Sequence, residues 1–312
     1  MADLALGGRF KILIDQRLGS GGFGVIYKGV DLQTEEFVAI KTSINKQKQD
    51  NLTEQIKVLK DLHGIKGIPR IHWDGFVEDR YFGVMDLLGE DLEEKYKQKC
   101  TVRDACIIAQ QVIKTLEKIH ERGYLHLDLK TRNLMVGHKN PNEIYLIDFG
   151  GACKVTGENG LHVEKHKNVH YKSFTPYYAT ANMLKGFTPS RRDDMLMFGY
   201  VLLDLFSLIP WNGNEGDYHL IQMRQDLSWS MCGRKFSKLP EQFYQYYDYC
   251  QKLGFSQEPD YAHLSSLFQD AFEEKGFVDG EVLTAEFKDE EGFLSKFNPG
   301  HLFCSLLDKL GI

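Results

Sequence analysis

The feature that most limits how this chain can fold is a change of hydrophobic period near residue 100. Before it, Phe10 to Leu18, Gly24 to Val30 and Glu36 to Thr42 are short, rich in β-branched and aromatic residues, and separated by turn chemistry, which predicts strands. One helix, about Asn51 to Leu62, interrupts them. From Thr101 onward Ala105, Ile108, Ala109, Val112, Ile113, Leu116 and Ile119 recur at three- and four-residue steps, the pattern of a helix with one buried face. Thr101 can cap that helix and Gly123 can end it. Two apolar runs follow, Leu134 to Val136 and Ile144 to Ile147, each too short for a helix and suited to a β pair with polar side chains at its ends. Gly150 to Ser173 is polar and aperiodic and reads as one long loop, and helical patterning then dominates from Met195 to about Phe272. The layout is a small strand-rich half, a short connector near Asp86 to Asp91, and a larger helical half: an α+β chain in two lobes.

Composition enters by exclusion. With 38 Lys plus Arg against 44 Asp plus Glu, the 312-residue chain carries a formal charge of −6, which argues against a basic nucleic-acid coat. The amino terminus has no basic segment leading into a long apolar run. No apolar stretch approaches membrane-spanning length, and the longest candidate, Met195 to Pro210, is broken by Gly199, Asp204 and Ser207. The expectation is a soluble monomer of the cytoplasm, with the nucleus as a second compartment, that binds neither nucleic acid nor membrane. Cys100, Cys106, Cys153, Cys232, Cys250 and Cys304 are scattered without a C-x-x-C pair, so free buried thiols are expected.

Four short motifs carry chemistry. Gly19-Ser20-Gly21-Gly22-Phe23-Gly24, between two predicted strands, lets backbone amides approach a phosphate chain that a Cβ would hold off, although a plain turn would look the same. In Val38-Ala39-Ile40-Lys41 the alternation puts Ala39 and Lys41 on one face, the alanine leaving room for a flat ligand and the lysine able to neutralise phosphates. His126-Leu127-Asp128-Leu129-Lys130-Thr131-Arg132-Asn133 offers a carboxylate, an ammonium and an amide that converge if the segment is a loop. Asp148-Phe149-Gly150 ends a strand with a carboxylate suited to a hard cation such as Mg²⁺. Their joint occurrence in this order is much harder to reach by chance than any one of them.

The set resembles the eukaryotic protein kinases over roughly residues 9 to 275. The resemblance implies a bilobal fold: an extension over residues 1–8, a β-rich N-lobe over 9–85, a hinge over 86–91, a mainly α-helical C-lobe over 92–277, and a helical extension over 278–312 carrying Phe293, Phe297, Leu302, Phe303, Leu306, Leu307 and Leu310. It implies ATP and Mg²⁺ as cofactors and protein substrates. Leu18 to Gly24 would cover the phosphates and Lys41 hold them, with Ala39, Met85, Asp86 and Leu88 around adenine and Met85 as gatekeeper. Asp128 would orient and deprotonate the acceptor hydroxyl, Lys130 steady the transferred group, Thr175 bridge the two, and Asn133 and Asp148 bind the metal.

A narrower resemblance is to the casein kinase 1 family of Ser/Thr kinases. It rests on Gly64 to Asp74, Asp86-Leu87-Leu88-Gly89, Ser190-Arg191-Arg192-Asp193-Asp194, Ile209-Pro210-Trp211, Glu258-Pro259-Asp260-Tyr261 and above all Ala179-Thr180-Ala181-Asn182. It implies that Asp194 is a buried aspartate supporting the catalytic loop, where sequence position alone would equally suit a solvated helix start. Acidic or pre-phosphorylated substrates would need a basic pocket, for which Lys165, Lys167, Lys172 and the histidines of residues 162–172 are the candidates.

Three positions depart from the pattern. Leu127 stands where most kinases have an Arg that pairs with a phosphorylated loop, Phe174-Thr175-Pro176 where the narrower family has Gly-Thr-Ala, and the helix partner of Lys41 is ambiguous. Glu54 is the expected partner, yet Gln55 has Val58, Leu59 and Leu62 at +3, +4 and +7. The rival to an active kinase is a pseudokinase that acts as a binding scaffold.

Overall fold

The computed structural model describes residues 5–21, 24–43, 49–97, 99–157, 161–169, 171–211, 217–226, 239–278 and 283. The small lobe is built on one antiparallel sheet. Its strands are β1 (Ala5–Leu6), β2 (Phe10–Gly21), β3 (Gly24–Asp31) and β4 (Phe37–Thr42), then, after helix α1 (Gln49–Asp61), β5 (Ile71–Val77) and β6 (Arg80–Asp86). The spatial order is β1-β2-β3-β4-β6-β5, so the chain leaves the sheet at β4 for α1 and returns at its far edge. One face packs Leu6, Phe10, Val38, Ile40, Phe82 and Val84 into a core of its own. Helix α1 buries Leu52, Gln55, Ile56 and Leu59, and its apolar residues join the core of the large lobe.

Only Leu87 separates β6 from β7 (Leu88–Asp91), which belongs to a different sheet. Helix α2 (Leu92–Tyr96) and the long α3 (Val102–Glu121) follow. Thr101 caps α3 as its sequence suggests, its hydroxyl accepting from the Asp104 amide at 3.1 Å, and Gly123 leaves the helix with φ 75°. A short β8 (Tyr124–Leu125) leads into the loop of residues 126–133. The two apolar runs then form β9 (Leu134–Gly137) and β10 (Ile144–Leu146), an antiparallel pair with β7 on its other edge.

The stretch expected to be one long loop is more ordered than its composition suggests. It makes β11 (Cys153–Lys154) against β8, and isolated bridges join Thr156 to His162 and Lys167 to Phe187. Helices α4 (Ala181–Leu184), α5 (Arg191–Asp204), α6 (Asp217–Asp226), α7 (Glu241–Lys252) and α8 (Tyr261–Glu274) complete the large lobe. Helix α5 is buried along its length because its neighbours enclose it, which is why its sequence shows no polar stripe. Cys100, Cys106 and Cys250 are buried free thiols and Cys153 is half-buried; Cys232 and Cys304 fall outside the described residues. Of the expected C-terminal helical extension only Val278 and Leu283 are described, and the rest lies outside the described residues. Among the described residues no helix is long and apolar enough to cross a membrane.

Candidate active site

The loop of residues 126–133 is held from below. Leu127 has φ 63°, the left-handed region that a branched side chain disfavours, although its side chain is buried. Asp194, in the first turn of α5, fixes that conformation: its carboxylate accepts from the amides of His126 and Leu127, both at 2.8 Å, and faces His120 Nε2 at 2.9 Å. Burial alone would raise this carboxyl, but the hydrogen bond from His120, the nearby imidazoles and the His126 amide outweigh it and hold it below the usual carboxylate value. The resemblance-based placing of Asp194 thus agrees with the geometry, and the solvated helix start does not. The His126 ring donates from Nε2 to the Ile147 carbonyl at 2.9 Å and accepts the Asp128 amide at Nδ1, 3.2 Å away, so the loop is stitched to the end of β10.

Three groups meet at Asp128, itself 4% exposed. Lys130 Nζ donates to one carboxylate oxygen at 2.7 Å, and the Thr175 hydroxyl donates to the other at 2.7 Å. Lys130 also donates to Thr175 Oγ1 at 3.1 Å, closing a triangle across 45 residues of sequence. Asn133 gives its amide nitrogen to the Asp128 carbonyl at 2.7 Å and to the Asp128 carboxylate at 3.2 Å, so its amide oxygen is not used by either contact. The backbone of Asn133 accepts from the Ile147 amide at 2.9 Å, which ties this loop to the residue preceding Asp148.

Asp148 has φ 63° and ψ 72°, a conformation that turns it out of the end of β10. Its Oδ1 is buried without a hydrogen-bond partner, 3.7 Å from Lys41 Nζ. An orphaned carboxylate oxygen and an amide oxygen that the Asp128 contacts leave unused are donors of the kind a hard cation takes. Among the described residues no group of three or more His, Cys, Asp or Glu could hold a metal unaided. Asn133 and Asp148 therefore fit an Mg²⁺ that takes its other ligands from phosphates and water.

On the sheet side, Ala39 is buried and pairs with Met85, and Lys41 pairs with Gly83 in the same ladder. Leu18, Gly19 and Ser20 lie on β2 and Gly21 pairs with Gly24, while Gly22 and Phe23 fall outside the described residues. Two glycines of this hairpin differ in what they need. A Cβ at Gly24 would stand 2.3 Å from the Thr42 carbonyl oxygen, so the β3–β4 packing itself excludes a side chain. A Cβ at Gly19 would meet nothing within 4 Å, so the protein's own packing gives no reason for that glycine. The Asp86 carboxylate is engaged by its neighbours, accepting the Arg70 amide at 2.8 Å and facing His72 Nε2 at 2.8 Å. Burial opposes its ionisation, but the His72 hydrogen bond, the Arg70 amide and the neighbouring His72 and Arg70 side chains hold it below its ordinary value.

Glu54 does not hold Lys41. Lys41 Nζ donates to Gln55 Oε1 at 2.7 Å, and Gln55 Nε2 donates to Asn51 Oδ1 at 2.5 Å. Glu54 lies on the exposed side of α1 and pairs with Lys172 at 2.5 Å. The reason is helical phase: one residue is about 100° of rotation, so the face that buries Leu52, Ile56 and Leu59 also carries Gln55 and turns Glu54 outward. The apolar spacing carried that answer; the expected charge pattern pointed the other way.

Arg224 is the residue that the sequence did not mark. It is 1% exposed and donates from Nη2 to the carbonyls of Pro176 at 2.6 Å and Tyr177 at 2.9 Å, with its guanidinium 4.5 Å from the Trp211 ring centroid. Trp211 Nε1 donates to the same Tyr177 carbonyl at 2.8 Å. Together they set the backbone beside Thr175. Of the basic stretch, Lys165 and Lys167 flank the Phe187 ring at 5.2 and 5.9 Å, Lys172 is engaged by Glu54, and His170 falls outside the described residues.

A β-sheet lobe carrying a glycine-rich hairpin, hinged through one residue to a helical lobe, is the bilobal architecture of a kinase. The chain matches the protein kinase domain family over residues 12–258, and it belongs to that family.

Proposed function

We propose that this protein is an ATP- and Mg²⁺-dependent protein Ser/Thr kinase of the casein kinase 1-like type. The observation that carries the reading is the Asp128–Lys130–Thr175 triangle, with Asn133 and Asp148 beside it. An acceptor hydroxyl that replaces the Thr175 hydroxyl on Asp128 would find a carboxylate to orient it and take its proton. Lys130, within reach of the same carboxylate, would steady the charge of the transferred phosphoryl group. Lys41 would hold the nucleotide phosphates, and Asn133 and Asp148 the Mg²⁺, which when bound neutralises their charge. The lysine at position 130 favours Ser and Thr over Tyr by family pattern, and Lys165 and Lys167 favour acidic or pre-phosphorylated protein substrates.

The test is phosphate transfer from ATP to casein or an acidic peptide, comparing wild type with Asp128→Asn. The expected result is incorporation by wild type alone; equal incorporation by both proteins refutes the role of Asp128. One observation favours a second reading, a nucleotide-binding scaffold: Lys41 rests on a neutral amide instead of a carboxylate. That reading predicts ATP-induced thermal stabilisation without phosphate transfer.

A further inference from the structure

Gln55 changes the charge of the wall that faces the phosphates. Among the described residues Asp148 is the one acidic group within 4 Å of the Lys41 ammonium, at 3.7 Å, while Gln55 Oε1 sits closer, at 2.7 Å, without charge. Asn51 accepts from Gln55 Nε2 and so orients the amide with its oxygen toward Lys41. Glu54, one residue away, has its charge engaged by Lys172 on the exposed side of α1, where solvent screens it from the cleft. Lys41 and Asp148 alone therefore sum to zero, whereas a glutamate at 55 would leave the same wall with one net negative charge.

That difference bears on which form of the nucleotide the cleft accepts. A metal-free triphosphate carries about two more negative charges than its Mg²⁺ form and suffers correspondingly more from each acidic neighbour. We propose that Gln55 makes this cleft a receptor for metal-free nucleoside triphosphate: the polyphosphate binds on Lys41 without a divalent cation, which is required for phosphoryl transfer alone. The inference rests on the nucleotide-binding part of the reading above and extends it to the state of the ligand.

The test is equilibrium binding of ATP to the full chain, followed by intrinsic fluorescence or calorimetry, in excess EDTA and in excess Mg²⁺. Wild type is expected to bind ATP in EDTA within about tenfold of its affinity in Mg²⁺. Gln55→Glu is expected to lose about tenfold or more in EDTA and less in Mg²⁺, because the added charge acts most strongly on the barest phosphates. Asp148→Asn removes the remaining negative charge and is expected to tighten binding in EDTA while abolishing any gain from Mg²⁺. Lys41→Met is expected to abolish binding in EDTA. Binding in Mg²⁺ with none in EDTA overturns the inference, as does a Gln55→Glu protein that binds metal-free ATP like wild type. Peptide phosphorylation in the same preparation reads the kinase activity separately: transfer with Mg²⁺ but no binding in EDTA sinks this inference and leaves the proposed function standing.

Discussion

Replacing Asp194 by Asn isolates what holds the loop of residues 126–133. The carboxylate serves three donors: Oδ1 accepts the Leu127 amide, and Oδ2 accepts the His126 amide and faces His120. Asparagine keeps an acceptor at one of those positions only. The better choice puts its oxygen at the Oδ2 position, keeping two partners as neutral hydrogen bonds, and sets its NH₂ against the Leu127 N–H. The lost charge-assisted bond and the unsatisfied buried donors together cost about 3 kcal/mol. For a domain of this size that lowers Tm by about 6–12 °C in scanning calorimetry. The left-handed turn at Leu127 divides the effect, because a loop that relaxes would recover about 1–3 kcal/mol of backbone strain while moving Asp128. A smaller fall in Tm must then accompany a larger fall in kcat with ATP KM unchanged. The pH dependence has a definite sign. The folded carboxyl lies below its ordinary value, so its stabilisation is complete above the unfolded value of about 3.9 and is lost as pH falls through the folded one. The gap between wild type and variant should therefore be widest near neutrality and close in acid. A Tm within about 2 °C of wild type together with unchanged kcat would refute the reasoning.

Thr175→Ala should lower kcat about tenfold or more with little change in ATP KM, because Lys130 and Asp128 lose the hydroxyl that spaces them, and Thr175→Ser should restore most of it in steady-state assays. Arg224→Met keeps side-chain length but frees the Pro176 carbonyl, so peptide KM should rise about fivefold with ATP KM unchanged; an unchanged peptide KM would remove Arg224 from the positioning of that segment. Gly24→Ala should cost about 1–3 kcal/mol by chemical denaturation because its Cβ meets the Thr42 carbonyl, whereas Gly19→Ala should leave the melting curve unchanged and weaken ATP binding.

What the sequence makes legible is what a few consecutive residues decide. Helix α3 announces its cap, its buried stripe and its glycine stop within 23 residues, Thr101 to Gly123, and the fold obeys all three. The carboxylates of the two polar motifs are likewise placed by local pattern, Asp148 at the end of the second short apolar run and Asp128 in the polar segment that follows α3. Arg224 is illegible for the opposite reason: its partners lie 47 and 48 residues away, and nothing in the local pattern of α6 distinguishes a buried guanidinium from a solvated one. Asp194 is intermediate. Two consecutive acids at a helix start suggest capping, and only the structure shows that Asp193 accepts the Ser190 amide at 2.9 Å while Asp194 accepts from the loop. Gln55 is a case where period and expected chemistry compete, and period decides, because burial of a helix face outweighs a single charge pair.

Helix α1 is fastened at its carboxyl end, where Arg122 donates to the Asp61 carbonyl at 2.7 Å and the Tyr124 hydroxyl reaches the Asp61 carboxylate. On its outer face Glu54 meets Lys172 of the segment that leads to Thr175, and on its inner face Gln55 meets Lys41. That segment is in turn held by Thr188 on His166, by Trp211 and Arg224 on the carbonyls of residues 176 and 177, and by Thr180 on Asp193 at 2.6 Å. Position 127 beside Asp128 is a leucine, which offers no cation to recruit a phosphate there. Thr175 is thus delivered to Asp128 by packing, by the Glu54–Lys172 ion pair and by the hydrogen bonds of Arg224, Trp211 and Thr180, which places the control of this geometry in the sequence of the segment itself and in the phase of α1.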